Sequence, residues 1–198
     1  MKRFLFFGIF ILMTVKSFSQ GCVGSAGQVK WSYWENFELS PDSNSLFARE
    51  YYPETPDGFQ MLPTLAAPRN YTEYFAGMMR GFIKVPVTAT YYFNVTGDDE
   101  AIFFLSPNQS PASKIKRAEA PEYTDIDQHD KSPLQTSQAI QLVAGQYYYF
   151  ELLQFEGGYS DHATLWWKKS TDTSWSVVDY NYIYEYACNS NCPPRGTV

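Results

Sequence analysis

The sequence predicts an all-β fold, an antiparallel β-sandwich or barrel of short strands joined by long irregular loops. Three observations lead there. The chain carries 16 Tyr, 15 Phe and 5 Trp in 198 residues, and such bulky planar side chains favour pleated, half-buried surfaces. Its apolar runs are short, alternate with polar residues and are punctuated by 12 Gly and 12 Pro. Nowhere does an apolar i, i+3, i+4, i+7 pattern persist long enough for a long helix. Many short strands with Gly and Pro between them pack as two sheets or one closed sheet. At 44% hydrophobic and 18% charged residues the chain has the size and composition of a single globular domain.

The first segment is set apart. Lys2 and Arg3 precede an apolar run from Phe4 to Val15, and Ser17 and Ser19 stand three and one before a cut after Ser19. That pattern predicts a signal peptide over 1–19. The run is shorter than the ~20 residues of a membrane-spanning helix, so a secreted or cell-surface protein is expected. "SQGC" ends as a lipobox does, which opens lipid attachment at Cys22 as an alternative. Residues 20–27, rich in Gly and Ser, are expected to form a flexible lead-in, 28–187 the folded domain, and 188–198, with Pro193 and Pro194, a tail or linker. Beyond the inner membrane cysteines can oxidise. The chain has Cys22, Cys188 and Cys192, and three thiols leave the pairing open.

Within the domain, "VKWSYWENF" alternates as a strand, with Trp31, Tyr33 and Glu35 on one side and Ser32, Trp34 and Asn36 on the other. From Ser40 to Pro68 turn residues dominate and irregular loops are expected. "MMRGFIKVPV", a turn near Thr88-Ala89, "TYYFNV", a polar loop from Gly97 to Glu100 and "AIFFL" predict a three-stranded meander. Pro107 to Ser137 is polar and Pro-interrupted, an excursion over the surface with acids at Asp125, Asp127 and Asp130. "SQAIQLVAGQYYYFELLQF" predicts a hairpin at Ala144-Gly145, where Gly supplies positive φ. Of the neighbouring rings Trp166 and Trp167, one should leave the core, and Trp34 should face away from Trp31.

Charge narrows the partners. The formal net charge is -6, and the leader holds bases but no acids, so the exported part is more acidic still. A negative domain without a basic stripe is a poor match for nucleic acid or for anionic lipid. The sharpest polar feature is Gly97-Asp98-Asp99-Glu100 between two apolar strands. Consecutive carboxylates repel one another, and a cation that neutralises them is a reason for their clustering. Calcium is the natural candidate, because it takes six to eight hard oxygen ligands. Glu156-Gly157-Gly158-Tyr159-Ser160-Asp161-His162 is the second: two glycines permit a sharp turn that exposes carbonyls, and Glu156 and Asp161 offer carboxylates at its rim. His129 and His162 are the only histidines, and no Cys/His spacing suggests zinc. Asp161 beside His162 lacks a nucleophile in a recognisable elbow, and "DQHD" reads as an exposed loop.

Taken in order, "PRNYTEYFAGMMRGFIKVPVTATYYFNVTGDDEAIFFLS" and "IQLVAGQYYYFELLQFEGGYSDHATLWWKK" resemble the PA-fourteen domain family. This is the β-sandwich module named after the N-terminal fragment of anthrax protective antigen, and the match spans roughly Gln28 to Tyr186. The family occurs in secreted glycosidases, toxins, adhesins and flocculins, and several members bind glycans. The resemblance implies that Asp98 and Asp99 hold calcium, which in turn coordinates sugar hydroxyls. It places Glu156 where the flocculin-like lectins carry Asn, and makes Gly158 and Ser160 donors of backbone carbonyls. Glu in place of Asn adds a charge that tightens calcium and crowds a neutral sugar. The expectation is a non-catalytic, lectin-like adhesin module, with the glycan contacted by Asp98, Asp99, Tyr159, Asp161 and His162. Two alternatives stand beside it: a structural or protein-interaction module of a surface assembly, and a glycoside hydrolase, whose carboxylate separation spacing does not give.

Overall fold

A computed structural model describes residues 22–187. The leader 1–19, with its cleavage site, and the tail 188–198, with Cys188 and Cys192 and hence the disulfide question, lie outside the described residues. Two antiparallel sheets pack face to face, as the sequence predicts. In chain order the strands are β1 (Val23–Ala26), β2 (Val29–Trp34), β3 (Gly58–Leu62), β4 (Phe75–Lys84), β5 (Ala89–Asp98), β6 (Glu100–Leu105), β7 (Ile115–Ala120), β8 (Ile140–Leu142), β9 (Tyr147–Glu156), β10 (His162–Lys169), β11 (Ser176–Val177) and β12 (Ile183–Tyr186). The larger sheet runs β1-β12-β4-β9-β6-β7, with β2 also on β4 and β3 on β2; the smaller runs β11-β10-β5-β8.

The space between the sheets is filled by the alternate residues of each strand. Trp31, Phe75, Phe93, Phe103, Phe150 and Leu165 are all fully buried there, each contributing about 1.5–3 kcal/mol by leaving water. The outer face of the larger sheet carries a second cluster, in which Trp34, Met78, Leu153 and Phe155 pack with Leu46. Leu46 belongs to α1 (Ser43–Phe47). Asp42 starts this one-turn helix by accepting the Ser45 N–H at 2.7 Å while the Ser45 hydroxyl accepts the Asp42 N–H at 2.8 Å, a reciprocal cap. Among the described residues no helix is long and apolar enough to cross a membrane.

Several local expectations need correction. The lead-in predicted over 20–27 carries β1, which pairs with β12, so the sandwich already includes Val23. The loop-rich stretch from Ser40 to Pro68 holds α1 and β3, and α1 covers Trp34, so both faces of β2 are buried. The excursion from Pro107 to Ser137 contributes β7 to the edge of the larger sheet. Most consequential, the meander and the hairpin are not formed. β4 lies in the larger sheet and β5 in the smaller; β8 pairs with β5, and β9 pairs with β4 and β6. Each short connection crosses from one sheet to the other. The 85–88 and 143–146 crossings meet at one end, where Gly145 N–H donates to Val85 O at 3.1 Å and Ala144 N–H to the Thr88 hydroxyl at 2.9 Å. Two more crossings, at Asp99 between β5 and β6 and at 157–161 between β9 and β10, meet at the opposite end.

Candidate carbohydrate and cation site

The acidic motifs converge where those last two crossings touch. Asp98 closes β5 opposite His162 at the start of β10, and Glu156 closes β9 opposite Phe75. The Asp98–Asp99 peptide is cis. Asp99 then bridges the crossings: its N–H donates to Phe155 O at 3.1 Å, and its Oδ2 accepts the Gly157 N–H at 2.9 Å. Asp161 ties in a third segment, because its carboxylate accepts the Tyr71 N–H and its carbonyl accepts the Asn70 N–H at 3.2 Å. Gln154 Nε2 reaches its other carboxylate oxygen at 3.4 Å.

The electrostatics of this end are adverse to its own charges. Asp98, Glu156 and Asp161 are all buried. Burial pushes the Glu156 carboxyl up to about 8, against the pull of the Gly158 N–H, and the negative charges of Asp99, Asp98 and Asp161 add to the push. Burial, then the charges of Asp99 and Asp161, carry Asp98 up to about 6. Burial also raises Asp161, although the Tyr71 N–H opposes it. One Glu156 oxygen accepts the Gly158 N–H, whereas Oε2 is buried without a hydrogen-bond partner among the described residues. Burial, and then the charge of Arg69, lower His162 to about 4, so its ring is neutral near pH 7, and its Nε2 is likewise buried without a partner among the described residues.

Above these acids lies an open cleft of about 440 Å³, lined by Ser40, Glu73, Tyr74, Asp99, Gly157, Gly158 and Tyr159. Of the predicted site residues, Asp99, Gly158 and Tyr159 line it. Asp98, Glu156, Asp161 and His162 are buried, and Ser160 is exposed on the loop. Tyr159 is 96% exposed and carries the positive φ of the turn, 81°. The predicted role of the glycines shifts accordingly. Neither Gly157 nor Gly158 adopts a left-handed φ; they permit close approach. A Cβ at Gly157 would stand 2.1 Å from Ser40 Oγ, and one at Gly158 2.7 Å from Glu73 Oε2. Sequence reasoning missed Ser40, Glu73 and Tyr74. Glu73 Oε2 accepts the Tyr159 N–H at 2.8 Å, and Tyr74, at φ 52° and 45% exposed, gives the cleft a second accessible ring.

The donor set suits calcium in kind: carboxylates, backbone carbonyls and one buried carboxylate oxygen that lacks a partner. Among the described residues, however, no three His, Cys, Asp or Glu side chains close around one point as ready-made ligands. The side-chain donors of a bound ion would therefore be fewer and supplemented by carbonyls or water.

Comparison with known proteins agrees with this architecture. The family model described as the PA14 domain matches residues 25–183. No curated protein matches the sequence. Among solved structures, the Epithelial Adhesin 6 A domain from Candida glabrata, in complex with Galb1-3GlcNAc, superposes with a TM-score of 0.55 at 15% identity, over 89% of this chain and 98% of that one. The PA14 sugar-binding domain from an RTX adhesin gives 0.59 at 10%, over 81% and 99%. The PA14 domain of the MpAFP antifreeze protein gives 0.57 at 12%, over 79% and 89%. At these identities the likeness is one of fold.

Proposed function

Because the chain belongs to the PA14 domain family, we propose that it is an exported, non-catalytic carbohydrate-binding module whose glycan seats in the cleft between Tyr74 and Tyr159, above Asp98 and Asp99. The observation that carries this reading is the meeting of buried, mutually repelling carboxylates with an open cleft walled by two exposed aromatic rings. Adjacent negative groups with an unpartnered oxygen gain from a divalent cation. Exposed tyrosines offer a flat apolar face and a polar tip to a sugar ring. Domains of this fold solved with sugars, such as the Candida glabrata adhesin, lend support.

Asp98 and Asp99 would hold the ion, with Glu156 and the carbonyls of Gly158 and Ser160 as the further donors. When bound, calcium supplies coordination positions that vicinal sugar hydroxyls can occupy in place of water. The chain's own part is orientation: Asp99 fixes the Gly157 N–H, and Glu73 fixes the Tyr159 N–H, so both crossings are held while the ring of Tyr159 stays exposed. Asp98, Glu156 and Asp161, whose pKa values burial raises, are buried, and the two acids that line the cleft each accept a backbone N–H. That arrangement favours a module without an acid and base pair facing each other across a scissile bond.

One observation favours a structural or protein-interaction module instead: Asp99 Oδ2 is already engaged by Gly157. Calorimetric titration with calcium, followed by a glycan array with and without chelator, separates the two. The proposal expects calcium binding, glycan binding that chelation abolishes, and loss of both in Asp99→Ala. Glycan binding indifferent to chelator and to Asp99→Ala would remove the calcium-dependent reading.

A further inference from the structure

The far edge of the larger sheet carries a charge that the acidic cleft does not explain. β7 is the last strand there and pairs with β6. The register slips by one between Phe103, opposite Ala118, and Phe104, opposite Lys116. Arg117 is therefore the extra residue of a β-bulge, a device that re-aims a side chain out of the alternation. It is half-buried, and its Nε is buried without a hydrogen-bond partner among the described residues. Burial alone pushes the guanidinium down from its ordinary value, with no neighbouring carboxylate to hold it up.

Every other half-buried base among the described residues is compensated. Arg80, Lys114 and Lys169 stand within ion-pair distance of Glu54, Glu151 and Asp172. Lys30, Arg49, Lys84 and Lys168 lie over the rings of Phe59, Phe37, Tyr147 and Trp175. Even the exposed Lys116, next in the chain, takes Glu119. In a sequence of 21 acids and 15 bases, a guanidinium drawn out of water and left without an acid is a deficit that an outside partner fills.

Arg117 lines an open cavity of about 180 Å³ together with Lys116, Ala118, Glu119 and Leu134. That is well below the ~300 Å³ of small-molecule pockets, so it admits one functional group on a narrow stem and not a pyranose ring. The lining selects the group. A guanidinium presents N–H donors in one plane, which the two oxygens of a carboxylate meet side by side. Glu119 in the wall disfavours a doubly charged phosphate, and Ala118 and Leu134 flank a hydrocarbon stem. Leu134, 54% exposed, is held in place before a ligand arrives: its N–H donates to Ser132 Oγ at 3.2 Å, and Gln135 beside it is anchored on Val95 O and Gln128 O. Because β7 ends the sheet, an extended peptide can lie beside it. We infer that this pocket takes the carboxylate of an acidic side chain on an extended segment of a partner protein, with Arg117 as its ion-pair partner and Leu134 against its stem. It stands apart from the reading of the acidic cleft, because no residue is shared.

The test uses nitrogen-15 labelled protein at low ionic strength, where screening is least. It is titrated with the blocked tripeptides acetyl-Val-Glu-Val-amide and acetyl-Val-Gln-Val-amide, to about 20 mM as weak monovalent binding requires. Glucuronate and inorganic sulfate run alongside as other carriers of negative charge. Saturable shifts of the Arg117 Nε–H and the Leu134 amide with the Glu peptide, the same in calcium and in chelator, are expected. Arg117→Met should abolish the Leu134 shift and raise the thermal midpoint of the free protein, because it removes an unpaired charge at similar bulk. An arginine that merely supports the fold would lower that midpoint. Leu134→Glu supplies the acid from within at an exposed position and should weaken the peptide about tenfold or more. Arg117→Lys keeps the charge without the planar fork and should weaken it severalfold. Equal shifts with the Glu and Gln peptides, glucuronate or sulfate bound more tightly than the Glu peptide, a midpoint lowered by Arg117→Met, or Glu-peptide shifts indifferent to Leu134→Glu would each overturn the inference.

Discussion

Two regions along β5 and its neighbours handle buried polar groups in opposite ways. On the outer face of β5, Asn94 and Thr96 are fully buried beneath the excursion, and each is satisfied. Asn94 Nδ2 donates to His129 O at 2.9 Å and to Thr136 Oγ1 at 2.8 Å, and the Thr96 hydroxyl donates to Ile126 O at 2.8 Å. Gln135 Nε2 bridges Val95 O at 3.0 Å and Gln128 O at 2.7 Å, while its Oε1 accepts the Ser132 N–H at 2.9 Å. At the end of the same strand, Asp98 is buried with a raised pKa, as is Glu156 at the adjoining end of β9, and one Glu156 oxygen has no hydrogen-bond partner among the described residues. A polar group whose bonds close within the fold serves the fold. One left with a deficit marks the place where something outside the chain is needed.

The largest expected contrast follows from that difference. Gln135→Ala removes the side chain that satisfies three backbone groups. It should destabilise the protein by about 2–3 kcal/mol in denaturant unfolding, with calcium binding unchanged where the protein remains folded. Glu156→Gln should do the reverse. It removes a charge that burial disfavours, so in chelator at pH 9 it should stabilise the protein, on the order of 1–2 kcal/mol, while weakening calcium. A stability loss in Glu156→Gln under those conditions would erase the distinction between the two regions.

The same deficit sets a pH dependence. Asp98 and Glu156 have folded-state pKa values above their ordinary ones, at about 6 and about 8, so the fold prefers their protonated forms. Their contribution is complete below the unfolded values near 4 and is lost as pH rises through about 6 and then about 8. In chelator the thermal midpoint should therefore fall between pH 5 and pH 9, and Glu156→Gln should remove the upper part of that fall. With saturating calcium the fall should flatten, and calcium affinity should itself weaken from pH 8 to pH 6 as protons compete for the ligands.

A smaller effect sharpens the satisfied side. Thr96 Oγ1 donates to Ile126 O and accepts from Trp166 Nε1 at 3.0 Å. Thr96→Val should cost about 1–2 kcal/mol by stranding the indole N–H and the carbonyl, with no change in ion or glycan binding.

The strands were legible from the sequence because alternation reports which side chains enter the core. Their sheet membership was not. After Lys84 and after Leu142, four residues suffice either to turn back within a sheet or to cross the ~10 Å between sheets, and alternation is the same in both cases. Here they cross, so Gly145, whose positive φ was anticipated, turns the chain between layers. The carboxylates were legible because Asp98 and Glu156 end strands that the register brings together, and Asp99 and Asp161 stand in the crossings immediately before the next strands. Ser40, Glu73 and Tyr74 were not, because they reach the cleft from the turn-rich segment before β4, and nothing local to Glu73 signals that its partner is the N–H of Tyr159. The glycines of "EGGY" were read as permitting a sharp turn that exposes carbonyls, whereas their use is close contact with Ser40 and Glu73.

The last comparison is within the cleft itself, between what holds the ion and what faces the sugar. Tyr159 is exposed on a backbone fixed by Glu73, so its ring contributes little to folding. Truncation should leave stability within about 0.5 kcal/mol. If the ring stacks on the glycan, Tyr159→Ala should weaken glycan binding about tenfold while calcium affinity stays unchanged, and Tyr159→Phe should restore most of it, because stacking needs the face and not the hydroxyl. Asp99→Ala should instead remove calcium and glycan together. A Tyr159→Ala protein that loses calcium as well would mean that the aromatic wall and the carboxylates act as one unit.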